Sequence, residues 1–153
     1  MTAIIRLMDE TSITRYILDT YEGSRAVDAW GNTFFYYNPD DARPDEIYFA
    51  SLKSDDDDYD NASDLNRPGV FRLNVGVGKD TYFSLFDARP ARPDAEGHFD
   101  AAYDFTALDR LLPHPIYGRQ YWLCVLNPGP ATWESLRPLL DEAYTLAVAK
   151  YPG

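Results

Sequence analysis

The stretch Val70-Phe71-Arg72-Leu73-Asn74-Val75-Gly76-Val77 leaves the chain little local freedom. It reads as a strand, and strand side chains alternate between two faces. Phe71, Leu73, Val75 and Val77 therefore point one way, and Arg72, Asn74 and Gly76 the other. The first face demands an apolar layer; the second demands partners for a guanidinium. A further constraint lies near the C-terminus, where Leu136, Leu139, Leu140, Ala143, Tyr144, Ala147, Val148 and Tyr151 form a helical stripe that must be buried. That helix is expected to start near Thr132, with a kink or a later start at Pro138, which lies too deep for a first-turn proline.

The other elements follow from the same periodicities. A first helix is expected over Thr11–Tyr21, with Asp9, Thr11 and Ser12 as N-cap candidates, Ile13, Tyr16, Ile17 and Tyr21 as its apolar face and Gly23 as its stop. Arg25–Trp30 and Thr33–Tyr37 read as a hairpin turning at Gly31-Asn32. Asn38–Pro44 is a loop, Ile47–Lys53 a third strand, Asp55–Asn61 an acidic loop, Lys79–Phe86 a short helix and Asp87–Gly97 a proline-rich loop. Phe105–Leu112 is expected to make a helical turn or two, stopped by Pro113, and Tyr121–Leu126, apolar on both faces, a central strand. This order suits an α+β two-layer sandwich: a mainly antiparallel sheet with N- and C-terminal helices packed on one face, the other left open. At 153 residues the chain fits one domain, 1–153, and its 12 Tyr, 8 Phe and 3 Trp supply a bulky core.

Charge narrows the partners. The formal net charge is -11, and the basic residues are scattered rather than clustered. Nucleic-acid binding draws on grouped Lys and Arg, and a field of this sign repels polyanions and anionic lipid, so neither nucleic acid nor membrane is expected as a partner. Cys124 is the only cysteine, which excludes an internal disulfide and a cysteine-based zinc site. The N-terminal Met-Thr-Ala-Ile-Ile-Arg is too short in its apolar stretch for a signal peptide, and no run approaches the roughly 18 apolar residues of a membrane span, so a cytoplasmic location is expected.

Several short motifs carry a likeness. Ala29-Trp30-Gly31 leads into Phe34-Phe35-Tyr36, and Tyr48–Lys53, Phe71–Val75, the tryptophan strand Tyr121–Leu126 and Glu142-Ala143-Tyr144 follow in order. With these the chain resembles the MmcQ/YjbR-like family. The match is closest to a functionally unassigned branch carrying Asp58-Tyr59-Asp60, Arg67–Asn74 and Pro113-His114-Pro115. The resemblance implies a two-layer shape related to frataxin-like folds and identifies no reaction. Within that family a DNA-binding role has been suggested for the sheet, which the acidity here opposes, and some members sit in natural-product gene clusters.

The polar side of the Val70–Val77 strand is the most informative place. A buried Arg72 needs either an internal carboxylate or an anionic group on a ligand. In one reading Arg72 and Asn74 orient a small polar molecule in a pocket walled by Trp30, Tyr36, Tyr48 and Trp122, with His114 and Tyr117 closing one edge. In the other, Arg72 is paired internally within an ordinary aromatic core. His114, stiffened between Pro113 and Pro115, suits acid–base catalysis near neutral pH, or merely marks a loop that delivers the chain to the next strand. Cys124 is expected to be buried and inert. From Asp56, Asp58 and Asp60 match the third and fifth places of a calcium loop, but Asn61 and Arg67 stand where Gly and Glu are needed, so a solvated acidic loop is expected. No phosphate-binding glycine loop, nucleophile elbow or HExxH is present, and no metal or organic cofactor is expected. The leading functional expectation is a small-molecule-binding or accessory protein, with natural-product metabolism or self-resistance as its setting. A cofactor-independent enzyme using His114 comes second and a DNA-binding regulator last. An open aromatic sheet face equally suits a homodimer.

Overall fold

The computed structural model describes residues 8–41, 44–100 and 102–152. The N-terminal Met1–Arg6 reading and part of the Asn38–Pro44 loop lie outside them. Along the chain run α1 (Glu10–Thr20), β1 (Ser24–Ala29), β2 (Asn32–Tyr37), β3 (Tyr48–Lys53), β4 (Arg72–Gly76), α2 (Lys79–Leu85), β5 (Leu112–Pro113), β6 (Trp122–Leu126) and α3 (Pro130–Lys150). The strands form one antiparallel sheet in the order β1-β2-β3-β4-β6-β5.

One face of that sheet meets α1 and α3. Asp9 caps α1 by accepting the Ser12 amide at 2.8 Å, and Ile13 and Ile17 are fully buried. From α3, Trp133, Leu136, Leu140, Ala143 and Ala147 face the same layer. Phe71, Leu73, Val75 and Val77 belong to this core, as alternation requires. Among the described residues no helix is long and apolar enough to cross a membrane.

Two expectations about helices are corrected. α3 runs unbroken through Pro138, with Pro130 in its first turn. Pro138 and Glu134 are both exposed, so water can satisfy the Glu134 carbonyl that a proline four residues on leaves without a donor. Phe105–Leu112 forms turns instead of a helix, and Leu108 bridges to Leu126. Here short side chains take over backbone donors: Asp104 accepts the Thr106 amide at 3.0 Å, Asp109 accepts the Gly129 amide at 2.7 Å, and Asp109 itself is left-handed.

The second face of the sheet is not bare. The acidic connection between β3 and β4 does not simply lie in solvent but folds across it, burying Ser63 and Leu65 completely or nearly so. A β-bulge prepares what remains uncovered. Tyr36 pairs with Tyr48 but Phe35 with Ala50, so Phe49 is the extra residue. Phe49 and Ala50 both enter the core, and Tyr48 is thereby turned to the same side as Ser51 and Lys53.

Candidate functional site

Cross-strand neighbours share a face, and the registers place Phe34, Ser51, Asn74 and Cys124 in one row across the second face, with Asn32, Lys53, Arg72 and Leu126 in the next. Arg72 is fully buried in this layer. Its Nη1 donates to Asp60 Oδ1 at 3.1 Å and Ser63 Oγ at 2.9 Å, its Nη2 donates to Asp60 Oδ2, and its Nε donates to Asn74 Oδ1 at 2.8 Å. Burial works against the charged guanidinium, but the hydrogen bond and charge of Asp60 outweigh it and hold the group above its ordinary value. The reading in which Arg72 grips a ligand directly is thus corrected: four of its five N–H donors are committed beneath the floor, and it does not line the cavity.

Asn74 is what Arg72 orients. With its oxygen accepting from Arg72, its Nδ2 donates to Ser51 Oγ at 3.1 Å. That leaves one Asn74 N–H and the Ser51 hydroxyl proton for an occupant of the cavity. Lys53, also buried, donates to Asp57 Oδ2 at 2.7 Å and keeps two further protons. Burial pushes the Asp57 carboxyl up, but Lys53 and the amides of Asp60 and Tyr59 outweigh this and hold it below its ordinary value.

Above this floor is a cavity of about 260 Å³. Tyr48 lines it, its ring centroid 5.4 Å from that of Trp122 and 5.2 Å from that of Phe34. Trp122 can lie across β4 because residue 76 is glycine; a Cβ there would come within 2.8 Å of the indole. Tyr59 and Tyr117 flank the mouth, 68% and 40% exposed, and Trp30 overhangs it from the β1–β2 turn. Tyr36 is corrected from wall to support: it does not line the cavity but backs Tyr48 edge-on at 5.8 Å. Burial raises the Tyr48 and Tyr117 phenols, so both stay protonated donors.

His114 does line the cavity, buried at its edge. Its Nδ1 accepts the amides of Ile116 at 3.1 Å and Tyr117 at 3.0 Å, which assigns the ring proton to Nε2. Nε2 lies 3.2 Å from Arg72 Nη2 and 3.9 Å from Asp60 Oδ2. Burial, then the charges of Arg72 and Lys53, hold the imidazole well below its ordinary range. The expectation of an acid–base group titrating near neutrality is corrected accordingly: a second proton would have to displace two backbone donors. His114 instead pins the short 3₁₀ turn Tyr117–Gln120. Cys124 is buried, with Sγ 3.6 Å from the Pro113 carbonyl and its thiol pushed up to about 12 by burial.

The structure therefore brings Asn74, Trp30, Tyr48, Tyr117, Trp122 and His114 together and adds Ser51, Lys53, Asp57, Tyr59 and Asp60. Ser51 and Lys53 were legible in β3 as polar alternates; nothing in the run of aspartates marked Asp57 and Asp60 as the two that turn inward. Among the described residues no group of three or more His, Cys, Asp or Glu could hold a metal ion. Compared with known proteins, residues 8–152 match the model of a family described as "Family of unknown function (DUF6194)". No curated protein and no solved structure matches the chain.

Proposed function

We propose that this chain, which belongs to the DUF6194 family of unknown function, is a small-molecule-binding protein whose ligand sits in the aromatic cleft over β3, β4 and β6. One observation carries the reading: the cleft floor is built on a buried, bidentate Arg72–Asp60 pair whose output is an oriented Asn74–Ser51 dyad. Buried ion pairs are weak devices for stability, whereas fixed donors beneath aromatic walls are what a binding site needs. Ligand sites commonly measure roughly 300–1,000 Å³, so this cavity suits a ring system of one or two rings. Its acceptor oxygen or nitrogen would meet the free protons of Ser51, Asn74 and Lys53. The short sequence motifs that resemble the MmcQ/YjbR-like family are the ground for extending this proposal to an accessory or self-resistance role in natural-product metabolism.

A thermal-shift screen of ring-bearing polar compounds tests this. A ligand at about 100 times its Kd stabilises the native state by about 2.7 kcal/mol, a shift of several degrees. Trp122→Ala and Asn74→Ala should each abolish the shift while remaining folded by circular dichroism. Hits that stabilise both variants as well as the parent would remove the cleft from consideration.

A second reading, a homodimer closed over the cleft, draws on Trp30, which is 89% exposed. Light scattering over a concentration series separates the two: a dimer that dissociates when Trp30 is replaced favours this reading, and a monomer throughout rejects it.

A further inference from the structure

Beyond the mouth of the cleft is a second hollow of about 330 Å³. Tyr59 and Tyr117 line both spaces, so the two are neighbours with these phenol rings as a common wall. The chemistry changes across that wall. Arg92, Arg119 and Gln120 line the second hollow, and no carboxylate does. Neither arginine is ion-paired among the described residues, although the chain has 25 acidic residues to offer.

The two arginines are brought there by packing. Arg119 belongs to the Tyr117–Gln120 turn that His114 pins through the Ile116 and Tyr117 amides. Arg92 comes from the loop after α2, and that loop docks on the same turn. A Cβ at Gly118 would stand 2.8 Å from Pro90 Cδ and Cγ, so glycine is what lets the proline ring approach. Arg89 ties the segments together, its Nη1 donating to the Arg119 carbonyl at 3.3 Å and its guanidinium 5.9 Å from the Tyr121 ring centroid.

Guanidiniums without a competing carboxylate suit an anionic oxygen group, which they grip with paired donors. We propose that the hollow is an anion subsite of the cleft and that the ligand is a ring-bearing phosphate or carboxylate. The ring lies over Ser51 and Asn74 beside Tyr48 and Trp122; the anionic group passes Tyr59 and Tyr117 to reach Arg92 and Arg119. This rests on the cleft reading above and deepens it. The distribution of charge agrees. In the floor Lys53 and Arg72 are balanced by Asp57 and Asp60, which favours an uncharged ring there, and of these two adjoining spaces only the second is lined by cations without a paired carboxylate.

The test uses two probe pairs that differ in charge: adenosine monophosphate against adenosine, and indoleacetate against indoleacetamide. Calorimetric titration of the full chain should show the anionic member binding about tenfold more tightly in at least one pair. The pair that shows it distinguishes phosphate from carboxylate, and added salt should erode the advantage. Replacing both arginines, Arg92→Ala with Arg119→Ala, should bring the anionic probe down to its neutral counterpart, while Arg119→Lys alone keeps part of the difference. Equal binding of charged and neutral members in both pairs, or an advantage that survives in the double variant, overturns the subsite. If no member of either pair binds, the cleft reading itself falls, and the subsite with it.

Discussion

Trp30 holds a backbone conformation that a bulky side chain seldom adopts. Its φ is 52°, followed by Gly31 at 75°, the pattern of a tight hairpin turn in which Asn-Gly is favoured. Left-handed backbone costs a residue of this kind about 1 kcal/mol, and with its ring 89% exposed the side chain recovers little of that through packing. Strain of this sort, placed at the mouth of a cavity, points to use by a ligand. Trp30→Asn should raise the melting temperature by roughly 2–4 °C while weakening binding of any ligand that stiffens the parent; an unchanged melting temperature would show that the turn is unstrained. Arg72 gives the opposite case. Arg72→Ala strands Asp60 beneath the floor and should cost about 3–5 kcal/mol in urea unfolding, so loss of binding in that variant would report unfolding. Replacing the pair together, Arg72→Met with Asp60→Leu, should recover most of the stability yet still lose binding, because Asn74 is no longer oriented. That the two strand residues share a polar face was readable from alternation alone. Which aspartate answers Arg72 was not, because six stand between positions 55 and 64 and only folding of the loop selects one.

Elements position the site through irregularities as much as through regular structure. Strict alternation along β3 would set Tyr48 and Ser51 on opposite faces, and the bulge at Phe49 puts them on one. No residue type announces that bulge; it arises from fitting two large aromatics, Phe49 and Tyr48, to the two sides of a packed sheet. Helix α1 and its Asp9 cap were legible because local signals and burial agree there. The β1–β2 hairpin was expected as well, but its turn is corrected from Gly31-Asn32 to Trp30-Gly31, since Ala29 pairs with Asn32. The Phe105–Leu112 segment was not, since its aspartates satisfy backbone donors in ways that periodicity does not register. The turn at Tyr117–Gln120 depends on the unprotonated Nδ1 of His114, and this has a consequence for pH. The folded ring resists protonation, so below the ordinary value of 6.5 the unfolded chain binds more protons. Stability is therefore full above that value and declines as pH falls from it toward the depressed folded value, by at most about 1.4 kcal/mol per pH unit. In His114→Asn, which retains an acceptor but does not titrate, urea midpoints should lose this component of the slope; an unchanged slope would mean the ring is not held neutral.

Across the whole molecule the two faces of the sheet have different occupations. One is sealed by α1 and α3 through side chains whose spacing could be read directly. The other is covered by long connections, and their course depends on contacts made across the fold, such as Arg67 donating to the Thr106 carbonyl at 3.0 Å. The floor of the cleft comes from adjacent strands in the middle of the sheet, whereas Trp30, Tyr59, Tyr117, Arg92 and Arg119 stand on turns around it. Foundation and rim are thus separable. If the cleft binds as proposed, exchanging side chains on those turns would alter what is admitted without touching the masonry that keeps the domain upright, so one scaffold of this design would serve many different guests.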